Sequence, residues 1–220
     1  MGYSLRSNGW GLFADMGTRK TAEKTAFWEF EFAEIKSPKQ VKQSVDVNFT
    51  PSNFDNPKPY VFAKQNNFYQ LNASVGRAVL LTDKPNVSGG IEVRLKYMAG
   101  VSLGLLKPYY LVLISKPDNT GFPHAEDVKY QQDTSRFLDW NSIWGASRWA
   151  LGVDEIKFVP GAHFKAGLSF DWAIFPEYVK SIDIGASLDA YYKRVPIMVT
   201  EKNPMFFPSI FLSLQFGKKY

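Results

Sequence analysis

Apolar and polar residues alternate along much of this chain with a period of two. In residues 91–104, each odd-numbered residue from Ile91 to Leu103 is apolar, whereas the even-numbered residues are mostly charged, polar or small. Successive side chains of a strand point to opposite faces, so this pattern predicts a strand with one apolar and one polar face. The predicted strand, about fourteen residues long, is longer than the strands of about 5–6 residues usual in globular proteins. A tilted strand that crosses a membrane needs about 9–11 residues.

The same alternation recurs and predicts eight strands. They cover roughly residues 2–17, 25–36, 67–82, 90–104, 108–116, 156–174, 180–193 and 205–219. The first segment fits a single strand only if a bulge lies near Asn8 and Gly9, and residues 109–115 are apolar on both faces, which leaves their orientation open. An even number of long antiparallel strands can close into a barrel without unpaired edges. We therefore predict an all-β chain, with residues 1–220 forming one eight-stranded antiparallel barrel domain.

The composition of the polar face decides between two kinds of barrel. A soluble, lipocalin-like ligand-binding barrel turns its apolar residues inward, whereas a membrane barrel turns them toward lipid and lines its lumen with polar groups. The polar face here mixes charges with serines and with glycines such as Gly76, Gly100 and Gly167. Glycine weakens a strand without benefit on a water-facing surface but leaves room in a narrow lumen. We therefore favour a transmembrane barrel of an outer membrane and keep the lipocalin-like barrel as an alternative.

This orientation assigns each face a role. The residues predicted to face lipid are Trp28, Phe30, Phe32, Tyr69, Leu95, Tyr97, Phe164, Leu168, Phe170, Trp172, Ile184, Leu188, Leu212, Leu214 and Phe216. The residues predicted to form a lumenal ion-pair network are Arg6, Asp15, Glu29, Glu31, Glu92, Arg94, Lys96, His163, Lys165, Asp171, Asp183 and Asp189. Because an unpaired buried charge costs several kcal/mol, both signs must pair. We expect a plugged polar lumen rather than an open pore.

The chain is rich in aromatic residues, with 18 Phe, 11 Tyr and 6 Trp among 220 residues. Aromatic rings gather at the two interfaces of membrane barrels. The rings predicted to form these girdles are Tyr3, Trp10, Trp28, Tyr69, Tyr97, Trp172, Tyr192 and Phe216. The longest uncharged run, residues 203–217, is too short for a membrane-spanning helix. No signal peptide is visible, and for a membrane barrel we expect that it has been removed.

Two long connections, residues 37–66 and 117–155, interrupt the strand pattern. If both termini are periplasmic, the predicted strand order makes 117–155 extracellular and 37–66 periplasmic. A long periplasmic connection is unusual for a small barrel. Either a partner docks there, or the predicted parity is wrong by one strand.

Basic residues lie just beyond several apolar strand faces. We expect four of them to contact anionic lipid headgroups or lipopolysaccharide: Arg19, Lys20, Arg77 and Lys84. The net charge is +5, and the basic residues are spread around the predicted barrel rather than gathered on one face, so we expect no nucleic-acid partner.

The sequence offers little catalytic chemistry. Cysteine is absent, which excludes disulfides and cysteine nucleophiles, and two histidines argue against a multi-histidine metal site. His163 and Ser169 lie on one predicted strand about 20 Å apart, although a serine on a neighbouring strand could approach His163. A lipid-modifying barrel enzyme therefore stays open as an alternative. The carboxylate pairs Glu29–Glu31 and Asp183–Asp189 lack the cleft of a glycosidase in a filled lumen. We expect no catalysis, no cofactor and no metal.

Several short stretches resemble a family of small outer-membrane β-barrel proteins of the Bacteroidota. They are Ser7-Asn8-Gly9-Trp10-Gly11, Lys64-Gln65-Asn66-Asn67-Phe68-Tyr69-Gln70-Leu71, Gly104-Leu105-Leu106-Lys107-Pro108-Tyr109-Tyr110-Leu111, Glu155-Ile156-Lys157-Phe158-Val159-Pro160-Gly161 and Phe170-Asp171-Trp172. The resemblance implies a precursor with a signal peptide and a location in the cell outer membrane, and it implies no activity, cofactor or binding residue. Because such barrels are associated with larger outer-membrane assemblies, we expect a structural or accessory subunit of an outer-membrane protein assembly or secretion complex.

Overall fold

The computed structural model describes residues 1–21, 23–45, 56–83, 90–115, 124–173, 177–199 and 203–218. Its strands are β1 Gly2–Arg6, β2 Gly9–Arg19, β3 Lys24–Ile35, β4 Lys42–Gln43, β5 Tyr60–Val61, β6 Asn66–Thr82, β7 Glu92–Pro108, β8 Tyr110–Ile114, β9 Ala125–Lys129, β10 Ile143–Ala146, β11 Lys157–Asp171, β12 Tyr178–Tyr191 and β13 Phe206–Lys218. A short helix, α1 Thr134–Phe137, precedes a 3₁₀ turn at Trp140–Ser142. Within the described ranges, no helix has the length and apolar character needed to cross a membrane.

Eight strands close into an antiparallel barrel in the order β1-β13-β12-β11-β7-β6-β3-β2. Closure joins the two ends of the chain, because β1 pairs with β13 from Gly2↔Gln215 to Arg6↔Phe211. The prediction of an all-β, eight-stranded antiparallel barrel is confirmed.

Two of the eight predicted strands were wrong, although their number was right. Residues 2–17 are not one bulged strand, because Arg6 pairs with Gly9 and the chain turns back at Ser7 and Asn8 between β1 and β2. Short polar residues favour such a turn, and the alternation continues on both sides of it. Strand β8, within the predicted segment 108–116, lies outside the barrel in a three-stranded sheet of order β10-β8-β9.

The polar face of the barrel strands lines the interior, and the apolar face covers the exterior. On the exterior, Trp28 is 58% exposed, Val101 68% and Ile210 69%. On the interior, Ser4, Gln70 and Asp189 are completely buried. A lipocalin-like barrel has the reverse arrangement.

The long connections lie at the same end of the barrel. Strands β1 and β2 are joined by a tight turn, so residues 36–65 between β3 and β6, and residues 109–156 between β7 and β11, both lie opposite the chain termini. We call this the capped end and the opposite one the terminal end. The placement of 37–66 and 117–155 on opposite sides was therefore wrong, and the predicted parity was off by one strand.

An apolar plug closes the lumen at the capped end. Three inward rings pack edge to face or tilted, with centroids 5.1 Å apart for Phe68 and Tyr191, 5.5 Å for Phe68 and Phe207, and 5.8 Å for Tyr191 and Phe207. The connection after β12 adds Val195 and Ile197 to this cluster. No Cβ fits at Gly104, where it would lie 2.7 Å from the Phe68 ring.

Above the plug, the described parts of the two long connections, residues 36–45 and 56–65 of the first and residues 109–115 and 124–156 of the second, form one cap. Its core consists of Tyr60, Leu111, Leu113, Val128, Phe137 and Ile143. The backbone N–H of Ala146 in β10 donates to the carbonyl of Lys58, 3.1 Å away, and so joins the second connection to the first. Within residues 109–115, Leu111 and Leu113 are buried in the core of this cap, and the others are half-buried.

Candidate functional site

An arginine on β1 joins two carboxylates from distant strands at the centre of the lumen. Arg6 binds Glu31 of β3, and its Nη1 lies 3.2 Å from Oδ2 of Asp189 in β12. All three side chains are fully shielded from solvent. Because burial removes water as a hydrogen-bond partner, each of these charges depends on the others for stabilisation.

The imidazole of His163 belongs to the same group. Strand register places His163 directly opposite Asp189, and its Nδ1 lies 2.6 Å from Asp189 Oδ1. The amide Nδ2 of Asn72 lies 3.4 Å from the same nitrogen. On the other side of the ring, Nε2 lies 3.9 Å from Glu31 Oε2 and has no hydrogen-bond partner among the described residues.

A buried lysine occupies the neighbouring layer. The Nζ of Lys165 lies 2.9 Å from Glu29 Oε1, and it stands 4.9 Å from the centroid of the Phe13 ring and 4.8 Å from that of Phe211. The faces of aromatic rings attract a cation, more strongly when water is excluded. The ammonium group is therefore held by one carboxylate and two rings.

The network becomes partly solvated toward the terminal end. Lys96 Nζ lies 2.8 Å from Asp183 Oδ2 and donates to Gln215 Oε1 at 2.6 Å, while Gln215 Nε2 donates to Asp15 Oδ2 at 2.9 Å. Nearer this end, Arg94 binds Glu92. The lumen thus changes along its length from an apolar plug through dry ion pairs to partly wetted charges.

Asp171 has a local structural role at the end of β11. Its carboxylate accepts the backbone N–H of Ala173 at 2.8 Å. The structure therefore places all the predicted network residues on the inner face of the barrel and joins Arg6, Glu29, Glu31, Lys165, Lys96, Asp183, Glu92, Arg94, His163 and Asp189 in close pairs.

Neutral inner-face residues that were not predicted from the sequence complete the network. They include Asn72 and Gln215, described above, and a group around Tyr191. The Tyr191 hydroxyl donates to Gln70 Oε1 at 2.9 Å and lies 2.9 Å from Ser102 Oγ. Tyr191 therefore ties the apolar plug to the polar layer. These residues occupy the same alternating strand positions as the charged inner-face residues. The alternation therefore assigns their face but does not identify their hydrogen-bond partners.

The geometry offers little support for chemistry at this centre. Glu29, Glu31 and His163 present possible metal ligands within 4.8 Å of one another, but Lys165 and Arg6 already bind the two carboxylates. No hydroxyl of the described part of the chain lies within hydrogen-bond distance of His163 Nε2, as a serine nucleophile would.

The residues predicted to face lipid all lie on the outer face. Tyr69 and Phe170 are half-buried, and the others are exposed. Four outer rings on consecutive strands form a row toward the capped end, with centroid distances of 6.4 Å for Tyr3 and Trp10, 6.3 Å for Trp10 and Phe32, and 5.8 Å for Phe32 and Tyr69. Trp149 of the cap continues this row, because its Nε1 donates to the Tyr69 hydroxyl at 3.0 Å.

The basic residues predicted to contact headgroups lie toward the terminal end. Lys20 and Arg77 are exposed there, Arg19 ends β2, and Lys84 lies outside the described residues.

The cap contains a cleft of about 640 Å³ that is lined by both polar and apolar residues. Both long connections contribute to it, with Lys58 from the first and Glu126, Asp127 and Arg148 from the second. Elsewhere in the cap, hydrogen bonds from Lys129 and from the Tyr110 hydroxyl hold the pKa of Glu155 below its usual value.

Comparison of the chain with protein-family models, curated proteins and solved structures finds no match. The fold and the site therefore define the class of protein: a closed eight-stranded antiparallel barrel with a charged interior and an apolar exterior. The resemblance to the Bacteroidota barrel family stays a prediction.

Proposed function

We propose that this chain is an integral outer-membrane barrel with a closed lumen, and that it acts without catalysis as a structural or accessory subunit of an outer-membrane protein assembly or secretion complex. The observation that carries the proposal is the apolar outer face, which continues across the barrel strands. Exposing so much apolar surface to water is costly, whereas lipid accepts it.

The height of this apolar belt matches a membrane. On β7, the outward residues from Leu95 to Leu105 are uncharged and apolar, and no charged residue interrupts them. Ten residue steps of about 3.3 Å, at a strand tilt of about 40°, span a height of about 25 Å, which is the height of the apolar band of outer-membrane barrels. The row from Tyr3 to Tyr69 supports an interface at the capped end, because aromatic rings border such bands.

The closed lumen favours an interaction role over transport. The plug around Phe68, Tyr191 and Phe207 blocks one end, and ion pairs such as Arg6–Glu31 fill the centre. The described part of the cap, in contrast, presents this cleft and exposed apolar side chains such as Trp149, Leu151 and Val153. Loops held by a rigid scaffold commonly carry binding, so we assign partner binding to the cap.

Heat-modifiability tests the membrane barrel. The protein is extracted from membranes with detergent, and the gel mobilities of unboiled and boiled samples are compared. We expect a compact, SDS-resistant band that shifts on boiling, together with insolubility when detergent is removed. A monodisperse, detergent-free protein in the soluble fraction contradicts the proposal and indicates a soluble barrel.

Substitutions on the cap test the role in a complex. The change Leu151→Glu with Val153→Glu places two charges on the exposed cap surface, and we expect it to dissociate the native-gel complex that contains the intact protein. The matched control, Lys20→Glu with Lys24→Glu at the terminal end, leaves the complex intact. Equal migration of all three proteins as free barrels argues against a subunit role.

Replacing His163 tests the absence of catalysis. We expect His163→Ala to leave the lipid A of the producing cells unchanged by mass spectrometry, because no nucleophile approaches Nε2 within the described residues. Cells without the chain provide the control. A lipid A modification that requires both the chain and His163 would overturn the non-catalytic assignment and favour a lipid-modifying enzyme.

A further inference from the structure

Two lysines at the capped end are buried without a carboxylate partner. Lys64 is 6% exposed and Lys107 is 3% exposed, and neither forms an ion pair with any described residue. The Nζ of Lys64 donates to Gln40 Oε1 at 3.3 Å and lies 5.4 Å from the centroid of the Tyr109 ring, while Lys107 Nζ lies 5.1 Å from that of Trp149. Buried charges are ordinarily paired, but no carboxylate of the described residues lies within ion-pair distance of these two ammonium groups.

Two exposed lysines increase the positive charge around them. Burial lowers the pKa of Lys64 to about 8, the nearby Glu34 carboxylate opposes this shift, and Lys36, Lys42 and Lys107 add to it. Glu34 is already engaged, because it binds Lys36 at 3.3 Å and accepts the indole N–H of Trp10 at 2.7 Å. The four lysines, which we call the lysine cluster, therefore carry excess positive charge.

Strand register places the lysine cluster at the border of the apolar belt. Tyr69, a member of the aromatic row, is paired with Glu34 on one side and with Leu105 on the other. Two residues further toward the cap on the outer face, Lys107 pairs with Asn67, and Lys36 follows directly after β3. At this height, an ammonium group meets lipid headgroups while its methylene stem rests on apolar surface.

We propose that the lysine cluster binds the phosphate group of a lipid headgroup in the leaflet at the capped end. Lys36 and Lys42 are exposed and contact the phosphate, and the buried Lys64 and Lys107 supply further positive potential. The site lies opposite the terminal end, where Arg19, Lys20 and Arg77 are found. A lipid phosphate, rather than a free phosphate ion, fits the position because the aromatic row lies directly beneath the cluster and accommodates acyl chains.

This inference rests on the proposed membrane barrel, so its test uses barrel that has already passed the heat-modifiability test. Native mass spectrometry of the full chain in neutral detergent measures the binding of diphosphoryl lipid A, monophosphoryl lipid A and phosphatidylcholine. Two double variants are compared with the unchanged protein: Lys36→Gln with Lys42→Gln at exposed positions, and Lys64→Gln with Lys107→Gln at buried ones. The matched control is Lys20→Gln with Lys24→Gln, which removes two positive charges at the terminal end.

We expect diphosphoryl lipid A to bind most tightly, and binding to weaken roughly tenfold or more in the exposed double variant. The control should retain the affinity of the unchanged protein, and millimolar inorganic phosphate should not displace the lipid. If the buried variant does not fold, the exposed one decides the result. Unchanged affinity in the exposed variant, an equal loss in the control, or displacement by inorganic phosphate would each overturn the proposal while leaving the barrel assignment intact.

Discussion

At the scale of single residues, the interior is organised by the need to pair buried charges. Arg6 binds Glu31 and Asp189, and Lys165 binds Glu29 between two phenylalanine rings. A buried ion pair need not stabilise a protein more than apolar residues would, but removing one partner is costly because the other charge remains unsatisfied. Single substitutions in this network should therefore have large effects.

Replacing the central arginine tests this expectation. Arg6→Met leaves the Glu31 and Asp189 carboxylates without their shared cation, and we expect a loss of about 3–5 kcal/mol in the free energy of unfolding, measured by urea denaturation in detergent. Arg136→Met is the matched control, because the exposed pair with Glu126 contributes at most about 1 kcal/mol. Similar losses of unfolding free energy in the two variants would show that water reaches the lumenal ion pairs.

Lys64 gives the protein a predictable dependence on pH. Its pKa is lowered from 10.5 to about 8 in the folded state, so between these values the unfolded chain binds more protons, and stability rises with pH. The rise is of the order of 3 kcal/mol by linkage. We expect it in unfolding titrations in neutral detergent between pH 8 and pH 10.5.

The variant Lys64→Met provides the comparison for that titration. It removes the titrating group but not the other ionisable residues, so the difference between the two stability curves isolates Lys64. Parallel curves through this range would show that the Lys64 ammonium group is well solvated in the folded protein.

At the scale of elements, each barrel strand keeps a polar inner face and an apolar outer face. Strand β7 shows both, with Lys96, Gly100 and Ser102 facing inward and Leu95 and Val101 outward. A register slip of one residue would bring the apolar side chains into the lumen. The strands are therefore held in register by the contrast between their faces.

The depth dependence of an outward charge tests the membrane setting of these strands. Val101 lies near the middle of the outer apolar run of β7 and Leu95 at its edge. We expect Val101→Arg to lower the free energy of unfolding from lipid vesicles by about 2–4 kcal/mol, and Leu95→Arg by about 0–1 kcal/mol. In a barrel surrounded by water, the two arginines would have similar, small effects.

At the scale of the whole molecule, the barrel closes through its two chain ends and is capped at the opposite end. The Met1 ammonium group donates to the carbonyl of Phe216 at 2.9 Å, so both ends of the chain meet at one side. Both long connections rise from the other side and share the apolar core around Leu111 and Phe137. If the proposed outer-membrane barrel has periplasmic termini, the described part of the cap faces the cell exterior.

Cysteine labelling tests this topology, and the chain is suited to it because it contains no cysteine. We expect a membrane-impermeant maleimide to label Asn141→Cys in the cap on intact cells. Glu23→Cys, between β2 and β3 at the terminal end, should react only after the outer membrane is permeabilised. Labelling of Glu23→Cys alone on intact cells would indicate the inverted orientation.

The sequence predicted the fold well and the site only in part. Alternation in residues 91–104 and 162–174 identified strands and assigned their inner and outer residues, because facing depends on local parity alone. It missed the turn at Ser7 and Asn8, because the change of parity there, from Tyr3 and Leu5 to Trp10 and Leu12 on the outer face, also fits a single bulged strand. It also assigned β8 to the barrel, since a segment that is apolar on both faces carries no alternation to show where it packs.

By itself, the sequence determined that the chain forms long two-faced strands, which charged residues share the inner face, and that an even number of strands closes. These features follow from properties of neighbouring residues. Only the tertiary structure decided that Arg6 meets Asp189, that both long connections form one cap, and that Lys64 and Lys107 are buried together. Each of these depends on the order and register of strands far apart in the chain, which are set when the barrel closes and not by the pattern within any one strand.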